Sequence, residues 1–99
     1  MKYGLDDILL KNICDTLKEL SFVRKAIIFG SRARGDYKYN SDIDIAIDIN
    51  SHKELLKVMD AFDNIDTIYK FDIVNINNIN NENFYNKIIN EGITFFSKN

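Results

Sequence analysis

The segment from Ser41 to Asn50 alternates strictly between apolar and polar or small side chains, and this alternation limits the fold more than any other feature. Isoleucines occupy positions 43, 45, 47 and 49, and they alternate with Asp42, Asp44, Ala46 and Asp48. Because successive side chains of a β-strand point to opposite faces, we predict a strand over residues 42–49 with one face in an isoleucine core. The aspartates lie on the other face.

The chain before this strand predicts one helix and one further strand. Over about residues 5–20, leucine and isoleucine recur at spacings of three and four, which is typical of an amphipathic helix. Residues 23–29 are rich in β-branched and aromatic side chains and stop at Gly30, as a buried strand does.

The chain after this strand predicts a second helix and a third strand. Ser51 followed three residues later by Glu54 is a capping box, and the apolar positions behind it indicate a helix ending near Asn64. Residues 69–76 alternate again and predict the third strand.

The remaining segment predicts a last helix and a short tail. Apolar residues between 84 and 89 form one stripe, and Gly92 is a suitable residue to end the helix. Residues 93–96 are expected to be a short extended or packed tail. The whole order predicts an α+β fold in one domain over residues 1–99, with a small mixed sheet covered by helices on one face.

Composition excludes several classes of function. The net charge of -2 gives no basic excess for binding nucleic acid or an anionic membrane. The apolar runs are too short for a membrane span, and Asp6 and Asp7 interrupt what would be the apolar stretch of a signal peptide. The lone Cys14 excludes an internal disulfide, and we expect it to be a small packing residue. We therefore expect a cytoplasmic protein.

The loop that follows the first strand has the composition of an anion-binding site. Two of the chain's four glycines, Gly30 and Gly35, bracket Ser31, Arg32 and Arg34. A helical turn starting after Gly30 would present free N–H groups and the serine hydroxyl to an anion, and arginine suits phosphate contacts. The alternative is a solvated basic turn.

Asp42 and Asp44 are candidate metal ligands. At positions i and i+2 of a strand their carboxylates project from the same face, so each raises the pKa of the other unless a cation lies between them. Oxygen ligands of this kind suit Mg²⁺ or Mn²⁺. The alternative is the polar side of an edge strand, whereas an EF-hand is disfavoured because its turn glycine is missing.

Asp72 is the candidate for a third carboxylate. It is the acid within the third strand, between Phe71 and Ile73, where an acid seldom serves packing. If this strand neighbours residues 42–49, Asp72 lies across from Asp42 and Asp44. Two-metal phosphoryl chemistry needs such a third ligand.

The combined pattern resembles a known family. Gly30-Ser31, ten intervening residues and Asp42-Ile43-Asp44 resemble the signature of the DNA polymerase β-type nucleotidyltransferase superfamily. The surrounding residues 30–36 and 41–46, the strand around Asp72 and the tail from Asn90 to Ile93 are similar to its minimal branch, the MNT proteins. The resemblance covers nearly the whole chain.

This resemblance implies roles for the carboxylates. Asp42 and Asp44 would hold two Mg²⁺ ions, with Asp72 as the third ligand and as the base towards the acceptor hydroxyl. The protein would then contribute mainly positioning and charge stabilisation to the transfer.

The resemblance also implies how the nucleotide is bound. Gly30 and Ser31 would bind the β- and γ-phosphates of a nucleoside triphosphate, expected to be ATP, and Arg32 or Arg34 would help neutralise them. The acceptor would attack the α-phosphate in line, and pyrophosphate would leave.

Larger members of the superfamily add a domain that holds the acceptor, and we expect none in 99 residues. MNT proteins commonly pair with a helical HEPN toxin, a ribonuclease, and act as its antitoxin. The favoured hypothesis is transfer of AMP to a hydroxyl of such a partner protein in a hetero-oligomer. A non-catalytic antitoxin that occludes the partner is the second hypothesis, and a transferase for a small molecule or nucleic acid is the third.

Overall fold

A computed structural model describes residues 1–98. Its elements follow one another as α1 (Asp7–Glu19), β1 (Lys25–Phe29), α2 (Ser31–Arg34), β2 (Ile43–Ile47), α3 (His52–Asp63), β3 (Phe71–Asn75), a 3₁₀ turn (Ile76–Asn78), α4 (Glu82–Glu91) and β4 (Ile93–Ser97). The three predicted strands and three predicted helices are all present, with slightly shorter bounds.

The four strands form one mixed sheet in the order β3-β2-β1-β4. The pairs β1–β2 and β1–β4 are antiparallel, whereas β2 and β3 are parallel. The isoleucines of β2 are completely buried, at 0 % exposure for Ile43, Ile45 and Ile47, because β2 is a central strand and helices pack on this face. The predicted α+β class and mixed sheet are confirmed.

The isoleucine face of the sheet carries the main core. The amphipathic faces of α1 and α3 pack here, through Leu9, Ile13 and Leu17 of the first helix and Val58 and Phe62 of the second. Burying each such side chain contributes about 1.5–3 kcal/mol. These two helices lie on one face as predicted, but α4 packs against the other face, so the prediction that helices cover one face alone is wrong.

The opposite face carries a second, smaller cluster under α4. Ile88 packs there with Ile27, Phe29, Ala46 and Ile76. Ala46 alternates with the aspartates of β2, so the sequence pattern gave no reason to expect a helix on that side.

Local hydrogen bonds explain where the long helices begin. The Asp6 carboxylate accepts from the Leu9 amide at 2.8 Å, and the Ser51 hydroxyl accepts from the Glu54 amide at 3.2 Å. The Glu54 carboxylate accepts in turn from the Asn50 amide at 2.8 Å, one residue before the expected capping-box position.

The chain after α4 is extended, as expected, and it goes further by forming the strand β4, which pairs with β1. Gly92 does end α4, but its φ of -70° is not left-handed. A Cβ atom there would lie 2.3 Å from the Ile88 carbonyl oxygen and 2.5 Å from Ile27 Cγ2. This glycine therefore permits close contact between α4 and the sheet.

Residues 1–98 contain no helix with both the length and the apolar character needed to cross a membrane.

Candidate active site

Three side chains lie in one row across the sheet, on the face that carries α4. Phe29 of β1 pairs with Asp44 of β2, and Asp44 pairs with Asp72 of β3. Directly paired residues project from the same face, so the two carboxylates are neighbours. Asp42 is two residues before Asp44 and lies just outside the strand. The strand adjacency assumed for Asp72 is therefore present.

The environment of Asp44 disfavours its negative charge. Partial burial raises the pKa of its carboxyl above the usual range, and the negative charges of Asp72 and Asp42 raise it further. Arg34 and Arg32 oppose the shift. A cation between the carboxylates would relieve this repulsion.

The donor set fits a hard divalent cation, although the side chains do not yet enclose one. Within residues 1–98, no three His, Cys, Asp or Glu side chains already lie close enough together to hold a metal ion. The strand register nevertheless places Asp44 and Asp72 side by side, with Asp72 exposed. Their carboxylate oxygens are ligands of the kind that Mg²⁺ prefers.

Gly30 brings the loop after β1 against Asp44. Its backbone has φ 71° and ψ -153°, a conformation open mainly to glycine. A Cβ atom at this position would lie 2.3 Å from Asp44 Oδ2. Any side chain here would collide with the carboxylate, so the residue type is fixed by the approach of the loop to the aspartates.

The loop then forms the helical turn that the sequence predicted. The turn α2 begins at Ser31, directly after Gly30, and ends at Gly35 with a left-handed φ of 93°. The Gly35 amide donates to the Ser31 carbonyl at 2.9 Å, and the Arg34 amide donates to the Gly30 carbonyl at 3.1 Å. Ser31 thus lies at the start of the turn, directly after the glycine that approaches Asp44.

Arg32 has a different position from the one predicted. Only 2 % of its surface is exposed, so the expectation that it neutralises a triphosphate is corrected. Its guanidinium donates to the carbonyl oxygens of Ser41 and Tyr3 and lies over the rings of Tyr37 and Tyr69. These contacts leave it no free face towards a nucleotide.

Arg34 remains available to an anion. Its side chain is 35 % exposed, and it forms ion pairs with Asp36 at 3.3 Å and Glu91 at 3.4 Å. The hydrogen bond to Asp36 raises the pKa of Arg34. The positive charge of Arg34 also lowers the pKa of Asp44, so Arg34 interacts electrostatically with this carboxylate.

An aromatic contact next to the carboxylate row was not predicted from the sequence. Phe84 of α4 packs edge-on against Phe29, with ring centroids 5.8 Å apart. It also lines a groove of about 360 Å³ beside β3, together with Val74 and several asparagines. The contact depends on how α4 packs on the sheet. The helical spacing of Phe84 by itself predicted only a place in the core.

Comparison with known proteins agrees with this geometry. Residues 11–99 match the family model described as polymerase beta, nucleotidyltransferase. The chain belongs to this nucleotidyltransferase family. The predicted resemblance is therefore confirmed, and MNT membership is consistent with it.

Individual relatives of this nucleotidyltransferase support the same assignment. A Methanocaldococcus jannaschii protein named "putative protein adenylyltransferase" is 38 % identical over 65 residues, which cover 64 % of this chain and 76 % of that protein.

Two solved structures share its fold. One, described as a toxin–antitoxin with AMP-PNP, has a TM-score of 0.65 and 20 % identity, with 90 % of this chain and 73 % of that chain covered. The other, a "putative nucleotidyltransferase" from Sulfolobus solfataricus, has a TM-score of 0.58 and 22 % identity, with 92 % and 82 % covered.

Proposed function

We propose that the protein is a Mg²⁺-dependent enzyme that transfers AMP from ATP to a hydroxyl group of a partner protein. One observation carries this proposal. Asp44 and Asp72 are paired on one face of the sheet, and Gly30 brings the start of α2 into contact distance of the Asp44 carboxylate. A phosphate-binding turn beside a cluster of carboxylates suits phosphoryl transfer.

Asp42, Asp44 and Asp72 would hold the metal ions, which when bound neutralise charge on the triphosphate and on the attacking oxygen. Gly30 and Ser31 bind the β- and γ-phosphates through backbone N–H groups and the serine hydroxyl. Of the two arginines expected as alternatives for neutralising the triphosphate, Arg34 takes this role.

The transfer is an in-line displacement. The acceptor oxygen forms a bond to the α-phosphorus, the bond from that phosphorus to the bridging oxygen breaks, and pyrophosphate leaves. Asp72 accepts the proton of the acceptor hydroxyl. It is suited to this role because it is exposed on β3, an edge strand of the sheet, where an acceptor can approach.

A protein acceptor is supported by the relatives. One is named for protein adenylyltransferase activity, and the toxin–antitoxin neighbour carries an ATP analogue. We therefore infer that the acceptor is a HEPN-type toxin in the cytoplasm, bound in a hetero-oligomer. The net charge of -2 supports a protein acceptor over nucleic acid.

The test is label transfer from ATP that carries ³²P at either the α- or the γ-phosphate. The protein is incubated with Mg²⁺ and the product of the neighbouring gene. Transfer of AMP predicts label on the partner from α-labelled ATP and none from γ-labelled ATP. The label should disappear with Asp42→Asn or Asp44→Asn and persist with Asp66→Asn, a control at an exposed loop position.

Two other results would reject this function. If Asp44→Asn still neutralises the partner and no label is transferred by the wild type, the protein acts by occlusion. If label appears only on an added small molecule or nucleic acid, the acceptor class is wrong. Both results would leave the description of the fold intact and would replace the proposed function.

A further inference from the structure

Arg32 is a buried cation at the junction of the segments that form the site. We propose that it is a positioning residue, which holds the phosphate-binding turn, Asp42 and the start of β3 in their relative places. This inference rests on the proposed function, because those segments carry the proposed nucleotide and metal ligands.

The first link joins the two halves of the sequence motif. Arg32 follows Ser31 directly, and its Nε and Nη2 atoms donate to the Ser41 carbonyl oxygen at 3.1 and 2.8 Å. Ser41 immediately precedes Asp42. The two-pronged contact restrains both distance and orientation, as a planar guanidinium can and an ammonium cannot.

The second link reaches the strand that carries Asp72. The guanidinium carbon lies 4.6 Å from the centre of the Tyr69 ring. The residue after Tyr69, Lys70, accepts a hydrogen bond from the Ile43 amide at 2.9 Å. The start of β3 is thereby fixed against both Arg32 and the start of β2.

The third link shapes the N-terminal turn around the same group. The Tyr3 carbonyl accepts from Arg32 Nη1 at 3.0 Å, and Tyr3 has an uncommon positive φ of 57°. A Cβ atom on Gly4 would lie 2.9 Å from Nη1 and 2.3 Å from the Tyr37 ring. The turn therefore encloses the guanidinium closely.

The contacts of Arg32 show that its role is not to stabilise the fold through an ion pair. Among the ion pairs of residues 1–98, none includes Arg32. A buried cation held only by carbonyl oxygens and aromatic rings carries a large desolvation cost. An apolar side chain would fill the same space without this desolvation cost. What arginine adds at this position is its set of directional hydrogen bonds.

The experiment compares Arg32→Lys with Arg24→Lys, a matched substitution at an arginine paired with Asp48 away from the turn. The probe is the Mn²⁺ complex of α,β-methylene ATP, titrated calorimetrically at a temperature where circular dichroism shows each protein fully folded. We expect Arg32→Lys to weaken binding by roughly 10- to 100-fold, as the loss of a group that orients metal ligands does, and Arg24→Lys to bind as the wild type does.

The affinity of fully folded protein separates positioning from stability, because a purely structural role would lower only the melting temperature. Unchanged affinity in folded Arg32→Lys would overturn the proposal. If that variant does not fold, Gly4→Ala replaces it, because the added methyl group disturbs the guanidinium from outside the site. Weaker binding of the probe by Gly4→Ala supports the positioning role of Arg32, and unchanged binding rejects that role. A wild type that does not bind the probe refutes the proposed function itself, and the role of Arg32 with it.

Discussion

Gly30 and Gly35 bracket the same helical turn and both have positive φ angles, but their surroundings differ. A Cβ atom on Gly30 would meet the Asp44 carboxylate at 2.3 Å, whereas one on Gly35 would have nothing within 4 Å. The two positions therefore separate backbone strain from displacement of a proposed metal ligand.

We predict that Gly30→Ala and Gly35→Ala both lower stability but that only Gly30→Ala abolishes nucleotide binding. The backbone strain should cost about 1–3 kcal/mol at Gly30 and roughly 1–2 kcal/mol at Gly35. Urea unfolding measures the stability, and calorimetry with the Mn²⁺ complex of α,β-methylene ATP measures the binding. Equal binding by the two variants would show that contact with Asp44 is unimportant.

Asp44 and Asp48 lie on the same strand face but have opposite pKa shifts. Burial and the neighbouring Asp72 and Asp42 raise the pKa of Asp44. The hydrogen bond from Arg24 lowers the pKa of Asp48, assisted by another from Asn77. The folded protein thus binds a proton at Asp44 more readily than the unfolded chain does, and at Asp48 less readily.

These shifts predict opposite effects on stability at neutral pH. For Asp44, stability falls as the pH rises from the ordinary value of 3.8 through the raised pKa. Asp44→Asn should therefore be more stable than the wild type at pH 7, and this gain should fade in acid.

For Asp48, the stabilising contribution of its negative charge is fully present above pH 3.8, the ordinary pKa, and is lost as the pH falls through the lowered pKa. Asp48→Asn should lose about 0.5–1 kcal/mol at pH 7. Urea unfolding between pH 3 and 7 checks both variants, and destabilisation by Asp44→Asn at pH 7 would contradict the account.

At the residue scale, the positions of the aspartates were predictable from the sequence, whereas the role of Arg32 was not. The alternation of β2 was enough to place Asp42 and Asp44 on one face, because strand geometry fixes side-chain direction. The role of Arg32 was not predictable, since a short arginine-rich loop looks solvated until its carbonyl partners at Ser41 and Tyr3 are brought next to it by the fold.

At the scale of elements, β4 is the clearest addition to what the sequence predicted. Residues 93–96 are too few to show a decisive period, and their pairing with β1 depends on α4 lying flat against the sheet. Gly92 permits this through its contacts with Ile88 and Ile27. Helices and central strands were predictable because each carries its own cap or alternation.

We predict that Gly92→Ala lowers the free energy of unfolding by about 1–3 kcal/mol, the usual cost of overpacking. Hydrogen exchange should show lost protection in β4 while β2 keeps its own. Ser51→Ala is the control, because it removes a helix cap at a cost of about 1 kcal/mol without contacting β4. Equal protection of β4 in both variants would count against this role of Gly92.

At the scale of the molecule, the α+β class and the family were predictable, because the motif and the order of helices and strands along the chain are local features of the sequence. The sheet order was less accessible. The parallel pairing of β2 with β3, which brings Asp72 beside Asp44, is a long-range contact that depends on α3 crossing between the two strands. The proposed site exists only because of this crossover.

The most direct test counts Mn²⁺ ions by electron paramagnetic resonance in the presence of α,β-methylene ATP, which binds but cannot release pyrophosphate. A two-metal site predicts two ions per wild-type chain beyond those held by free nucleotide. Asp44→Asn should hold fewer, and Asp66→Asn should match the wild type. A wild type that holds no additional Mn²⁺ with this nucleotide would contradict the central claim that Asp42, Asp44 and Asp72 form a metal–nucleotide site.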